Sequence, residues 1–468
     1  MQYGMRFLSE SDIERIEAQS LLILSEIGIR VHNDRLRDQL RKAGIPVEDQ
    51  MVRLPPQVVR WALDTAPREI TLYGRNGDVM PLQPGHCYLV MGTGATSILD
   101  CGANHLRAIT QEDVVNFARL SQTMDEISLG GGGGQAQDVA PGLEILRTVE
   151  SLVLNNSKHH LAGPHDLASA RTWYELVEIA GGDRDLRETP TLSFVVSTTS
   201  PLQLDYDSSQ VLEYAAQRRL PFLASSCPMA GGTSPLALIG TVVLMVTEDL
   251  FLLTLAQLLN ECSPVIWGGA AGIIDVRTGS LSYGAAERHL LLGANIEMAE
   301  HYALPHYVPS GSADSWCTGV QTGAEKMQCW MARRASDTIF GIGLGSLYNG
   351  LATSLEQVVI DVDLWQQANR VFRGLDTAEL DEACDAIRRV GPGGNFLDDE
   401  QTLRLMRSSE IYFSDLANRE GERGAGMLAR AHDKVERILA AHQYVPPDAV
   451  VQEVSHYVQA RSEELADG

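Results

Sequence analysis

Through the middle of the chain, short apolar runs that stop at Gly, Ser or Pro alternate with longer stretches whose apolar residues recur at helical spacing. This is the rhythm of repeated βαβ units. The runs predict strands at Tyr88–Met91, Ile127–Leu129, His159–Ala162, Thr191–Val196, Pro221–Ala224, Pro264–Trp267, Pro305–Val308 and Thr338–Ile342. Successive starts lie roughly thirty to forty-odd residues apart, room each time for a strand, a loop and a crossover helix. The helices have legible starts. Thr110 and Asp113 have capping spacing ahead of Val114, Val115, Phe117, Ala118 and Leu120. Thr233, Ser234 and Pro235 offer a cap and an N1 proline for a long apolar helix running to Leu259.

Eight βα units match a (β/α)8 TIM barrel of roughly 250 residues. An open doubly wound sheet is the competing arrangement, and the even spacing of eight units favours the barrel. Residues 1–85 hold two helical stretches and a short extended pair near Met51–Leu54 and Glu69–Tyr73, and read as an N-terminal cap. The barrel is assigned to 86–373. Residues 374–468 form a C-terminal helical extension, with helices predicted at Asp376–Val390, Asp399–Ser408 and Met427–His442, packing around the barrel or between subunits of a homo-oligomer. No low-complexity linker separates these parts, which favours one unit.

Composition narrows the function. Hydrophobic residues make up 44% and charged residues 21%, ordinary soluble usage, and no run approaches the length expected of a membrane helix. The start lacks a basic and then apolar signal, so the expected compartment is the cytoplasm. Acidic residues outnumber basic ones 61 to 37, a formal charge of −24 that repels nucleic acid and anionic membranes. The same field suits either a cationic ligand or plain solubility. The seven cysteines form no C-x-x-C pair and the histidines no H-x-H or H-E-x-x-H cluster, so neither a disulfide framework nor a metal site is expected.

A TIM barrel works where its strands end. The loops there are rich in glycine: Gly92 to Thr96 after the first strand, Gly130 to Gly134 and Gln135 after the second, Gly268 to Gly272 after the sixth. The five-glycine run lacks the G-x-x-x-x-G-K-[ST] pattern of a phosphate cradle. After the sixth strand Asp275 and Arg277 either brace their loop or reach the cavity, and Tyr283 and Glu287 follow. The seventh brings Ser310, Asp314 and Trp316; the eighth, Tyr348 and Asn349. Aromatic faces hold quaternary ammonium groups and carboxylates add attraction, so a cation cage competes here with plain rim packing. Trp267, early in its loop, reads as packing. One of His159 and His160 points into the barrel and the other toward its helices; His165 and Asp166 either cap a helix or hold a ligand.

The segments IDVRTGSLSYGAAE, PSGSADSWCTGVQTGAEK, GLGSLYNGLATSLEQVVIDVDL and GPGGNFLDDEQTLRLMR together resemble the trimethylamine methyltransferase superfamily, in the family's order and over nearly the whole chain. The sequence contains only the twenty standard residues, so it resembles the branch without pyrrolysine, the glycine betaine:corrinoid methyltransferases. Gln401 and Thr402 stand where the family often has His-Thr. The resemblance implies methyl transfer from a small quaternary amine to Co(I) of a corrinoid (cobalamin) carried by a cognate partner protein, with no tightly bound cofactor in this chain. For such a substrate, the loops after three consecutive strands, which barrel closure brings to one side of the mouth, are expected to place the ammonium among Trp316, Tyr348 and Tyr283, with negative potential from Asp314 or Glu287 and a carboxylate contact from Asn349 or Arg277. Two other readings stand beside it: a betaine-binding sensor that has lost transfer, and a barrel lyase, for which no strand-end lysine is evident.

Overall fold

The computed structural model describes residues 6–92, 94–309, 311–335, 340–421 and 424–467. Eight parallel strands, β1 (Tyr88–Met91), β2 (Ile127–Gly130), β3 (His159–Ala162), β4 (Leu192–Val196), β5 (Phe222–Ala224), β6 (Val265–Ile266), β7 (Val308–Pro309) and β8 (Phe340–Leu344), run in the order β6-β5-β4-β3-β2-β1-β8-β7. The ring closes between β6 and β7. Trp267 N–H donates to the Pro305 carbonyl at 2.7 Å, and Tyr307 N–H donates to the Trp267 carbonyl at 2.8 Å.

Each strand carries its crossover helix: α1 (Gln111–Thr123), α2 (Glu144–Asn155), α3 (Leu167–Gly181), α4 (Tyr206–Arg218), α5 (Leu238–Leu259), α6 (Ala286–His301), α7 (Val320–Ala335) and α8 (Leu355–Arg373). The chain therefore forms a (β/α)8 barrel. The predicted strands at Pro221, Pro264 and Pro305 begin later than their prolines, because proline has no N–H to give a ladder. Their carbonyls still accept, from Phe194, Phe222 and Trp267 respectively. Thr338 and Ile339, at the predicted start of β8, lie outside the described residues.

Three further expectations are corrected. Helix α5 starts at Leu238 without a side-chain cap, because the Thr233 hydroxyl accepts from Met229 N–H at 2.9 Å and closes a turn upstream. The same helix is long and apolar enough to cross a membrane, contrary to the reading of the runs, but 78% of its apolar window is buried in the fold and it carries Glu248 and Asp249. The extended pair near residues 51–73 is two structures. Met51–Val52 pairs with Ile29–Val31, whereas Thr71–Tyr73 pairs with Val79–Pro81.

That second hairpin places Leu72 and Met80 in one apolar cluster with Val90, Leu129, Leu161, Leu223, Ile266 and Phe340, the inward residues of the strands. The barrel is filled, and its lower end is stoppered by the hairpin. Helices Glu10–Leu22 and Pro56–Thr65 pack on α5, while Met427–Ala440 packs on α8 and α1. The outer core accordingly runs without a break from Ile16 to Val458. Between Gly374 and Phe413 the C-terminal extension leaves Leu375, Leu380, Ile387 and Leu397 exposed.

Candidate active site

All eight strands point the same way, so the loops after them share one mouth. The five-glycine run belongs to it for a packing reason. A Cβ on Gly133 would meet the Phe117 ring, and one on Gly134 would fall on the Ala95 carbonyl. The loops after β1 and β2 are pressed together there, with Gln135 N–H donating to that same carbonyl at 3.0 Å. Above them lies a recess of about 150 Å³, lined by the glycines together with Gln135, His165 and Trp173. Thr93 lies outside the described residues.

Across the mouth, the loops after β6, β7 and β8 are clamped to one another. Asp314 accepts from Ser282 Oγ and from Tyr283 N–H, both at 2.5 Å, while its own N–H donates to Glu325 at 2.9 Å. Tyr348 N–H donates to the Ser315 carbonyl and Asn349 N–H to that of Ala313, both at 2.9 Å. Tyr348 and Asn349 adopt left-handed φ values of 47° and 54°, a costly conformation for a bulky side chain. These bonds bring Trp316, 40% exposed, and Tyr348, 45% exposed, onto neighbouring loops. The β8 side of this arrangement rests on a buried ion pair, Lys326 Nζ to Asp361 Oδ2 at 2.6 Å, whose carboxylate also accepts from Gly345 N–H.

The remaining predicted residues divide. Tyr283 is half-buried, and burial pushes its hydroxyl up to about 12. Its ring is covered by Arg288, whose guanidinium carbon lies 4.4 Å from the ring centroid. Asn349 Oδ1 is buried without a hydrogen-bond partner among the described residues. Glu287 is exposed in the first turn of α6. Arg277 is not in the mouth's interior: its side chain is 85% exposed and bonded to Asp275 at 2.9 Å, a loop brace. Ser310 lies outside the described residues.

Trp267 is buried, its Nε1 donating to Asn295 at 3.1 Å, in keeping with packing. His159 hydrogen-bonds Ser193 Oγ at 2.8 Å and is lowered to about 4 by burial, and His160 lies toward Trp173 of α3. Asp166 caps α3 through Ser169.

Sequence reasoning missed residues that only the fold assembles. Arg288, Cys227 and Tyr307 come from α6, the loop after β5 and the segment entering β7; burial raises the Cys227 thiol and the Tyr307 hydroxyl, while the Arg288 guanidinium opposes the rise at Cys227 and at Tyr283. The only signal was an arginine five residues after Tyr283. A second surprise is Cys101, Glu356 and His432, whose ligand atoms lie within 4.8 Å of one another. They come from three distant segments, invisible to spacing. His432 Nδ1 and Glu356 Oε1 are 2.9 Å apart, an ion pair that joins two of the three.

Comparison with known proteins adds the following. The family model described as trimethylamine methyltransferase (MTTB) matches residues 2–466. The chain is 30% identical over 462 residues to the glycine betaine methyltransferase of Desulfitobacterium hafniense, covering 97% of this chain and 95% of that one. It is 28% identical to trimethylamine methyltransferase MttB of Methanosarcina barkeri, covering 95% and 92%. The crystal structure of the Methanosarcina barkeri monomethylamine methyltransferase (MtmB) superposes with a TM-score of 0.54 over 95% of this chain and 89% of that one, at 12% identity.

Proposed function

The chain belongs to the trimethylamine methyltransferase family, and from that premise we propose that it demethylates a small quaternary amine, glycine betaine or a related betaine. The methyl acceptor is Co(I) of a corrinoid carried by a cognate protein. The observation that carries this reading is the pair of half-exposed aromatics, Trp316 and Tyr348, held on adjacent loops at the mouth. The 30% identity to a glycine betaine methyltransferase supports the same substrate class.

A quaternary nitrogen leaves as a neutral amine, taking the electron pair of the broken C–N bond, so no acid need protonate it. The corrinoid supplies the nucleophile that receives the methyl group. This chain contributes position and dryness. Trp316 and Tyr348 face the ammonium with Tyr283 at its edge, Asp314 and Glu287 give negative potential, and Asn349 gives a polar contact. Because positive charge leaves nitrogen as the methyl departs, a cage holding the ground state too tightly slows the step. The exposed Leu375, Leu380, Ile387 and Leu397 support association with a second copy.

The test is to mix the protein with a reduced corrinoid protein and a panel of quaternary and tertiary amines. Co(I) absorbance decays with a betaine under this reading. Betaine binding without decay under any pairing favours a sensor and contradicts transfer.

A further inference from the structure

Arginines buried in proteins are bonded, because a guanidinium stripped of water costs several kcal/mol unless acceptors replace that water. Arg37 and Arg75 obey the rule here. Arg37 donates to the Val31 carbonyl and to Asp34, and Arg75 donates to the carbonyls of Ala180, Val153 and Asn156. Arg288 does not: it is 0% exposed, and its Nε, Nη1 and Nη2 have no hydrogen-bond partner among the described residues.

Two acidic groups near this mouth, Asp314 and Glu248, are engaged elsewhere. Asp314 is taken by Ser282 and Tyr283, and Glu248 by Thr198, Ser200 and Leu202 N–H. Asp249, fully buried, is held toward its neutral form by burial. The Tyr283 ring under Arg288 stabilises its charge from one face, but satisfies none of the in-plane N–H groups. What is left is a planar fork of donors at the strand-end side of the barrel, beside Cys227, whose thiol bonds the Ala270 carbonyl at 3.4 Å. A planar fork matches a carboxylate.

We propose that Arg288 is the carboxylate anchor of the substrate site, fixing a zwitterion whose ammonium end lies toward Trp316 and Tyr348. This deepens the betaine reading and rests on it. It also reassigns Tyr283. A ring face already carrying one cation at 4.4 Å is a poor wall for a second, so Tyr283 acts chiefly by holding Arg288 in place. The site then selects by charge pair: a carboxylate one short linker from the ammonium satisfies both ends, while a carboxylate-free quaternary amine leaves Arg288 buried and unpaired.

The experiment measures binding and transfer of glycine betaine, its neutral methyl ester and tetramethylammonium by wild type, Arg288→Lys and Arg288→Met. Wild type is expected to bind glycine betaine at least tenfold more tightly than the ester. Arg288→Met is expected to erase that preference without lowering tetramethylammonium affinity, since that ligand has no carboxylate contact to lose, and Arg288→Lys to restore part of it. The ester comparison needs no variant, so a misfolded Arg288→Met does not rescue the idea. If wild type transfers methyl from glycine betaine yet treats the ester equally, the anchor is wrong and the function stands. If wild type binds and demethylates none of the three, the betaine reading and the anchor fall together.

Discussion

The backbone N–H of Tyr283 donates to Asp314 Oδ1 at 2.5 Å, joining the loop after β6 to the loop after β7. Ser282 Oγ reaches the other carboxylate oxygen at the same distance, so a single side chain sets the spacing between the Arg288 and Trp316 sides of the mouth. Asp314→Ala removes both bonds, each to a charged acceptor and worth about 1.5–3 kcal/mol. We expect faster amide exchange at residues 280–284 and at least a tenfold loss of transfer rate, with the barrel still folded. Unchanged exchange and rate would show that the clamp is redundant.

Trp316 is the sharpest probe of the cage. A desolvated cation–π contact contributes about 2 kcal/mol, so Trp316→Ala should weaken binding of a quaternary amine roughly thirtyfold. Titration calorimetry with tetramethylammonium reads this directly, since that ligand has no carboxylate to compensate. A folded Trp316→Ala variant with wild-type affinity makes Trp316 a packing residue.

A pH effect follows from His432, whose imidazole is raised by its hydrogen bond to Glu356. A raised histidine contributes stability that is fully present below its unfolded value of about 6.5 and is lost as pH rises through the folded value. Helix Met427–Ala440 should therefore dock less firmly on α8 as pH climbs above neutrality. Hydrogen exchange of residues 427–440, corrected for intrinsic rate, should show protection falling with pH in wild type and flat in His432→Gln. Chelation should change neither, because Glu356 and His432 pair directly. Protection lost on chelation would contradict this.

The barrel was legible because each strand is a short apolar run bounded by breakers and each helix an apolar period, both local signals. Proline marked the right places but the wrong first residues, since its carbonyl joins the ladder while its nitrogen does not. At the mouth, Trp316 and Tyr348 were legible from their positions after β7 and β8. Arg277 and Arg288 were not separable in one dimension: both follow β6, and only folding shows that Asp275 captures the first on the surface while the second is buried without an acceptor among the described residues. Likewise Glu356 and His432 are distant in the chain and adjacent only once helix Met427–Ala440 folds back on α8.

The central claim is methyl transfer from a quaternary nitrogen, and its most direct measurement is a single turnover. Purified protein, a reduced corrinoid protein and glycine betaine are mixed without oxygen, and Co(I) absorbance and the tertiary amine product are followed together. The account predicts loss of Co(I) absorbance with one equivalent of dimethylglycine formed per cobalt, and no reaction with trimethylamine. Transfer from trimethylamine with glycine betaine inert, or no transfer from any quaternary amine with an active corrinoid protein present, would contradict it.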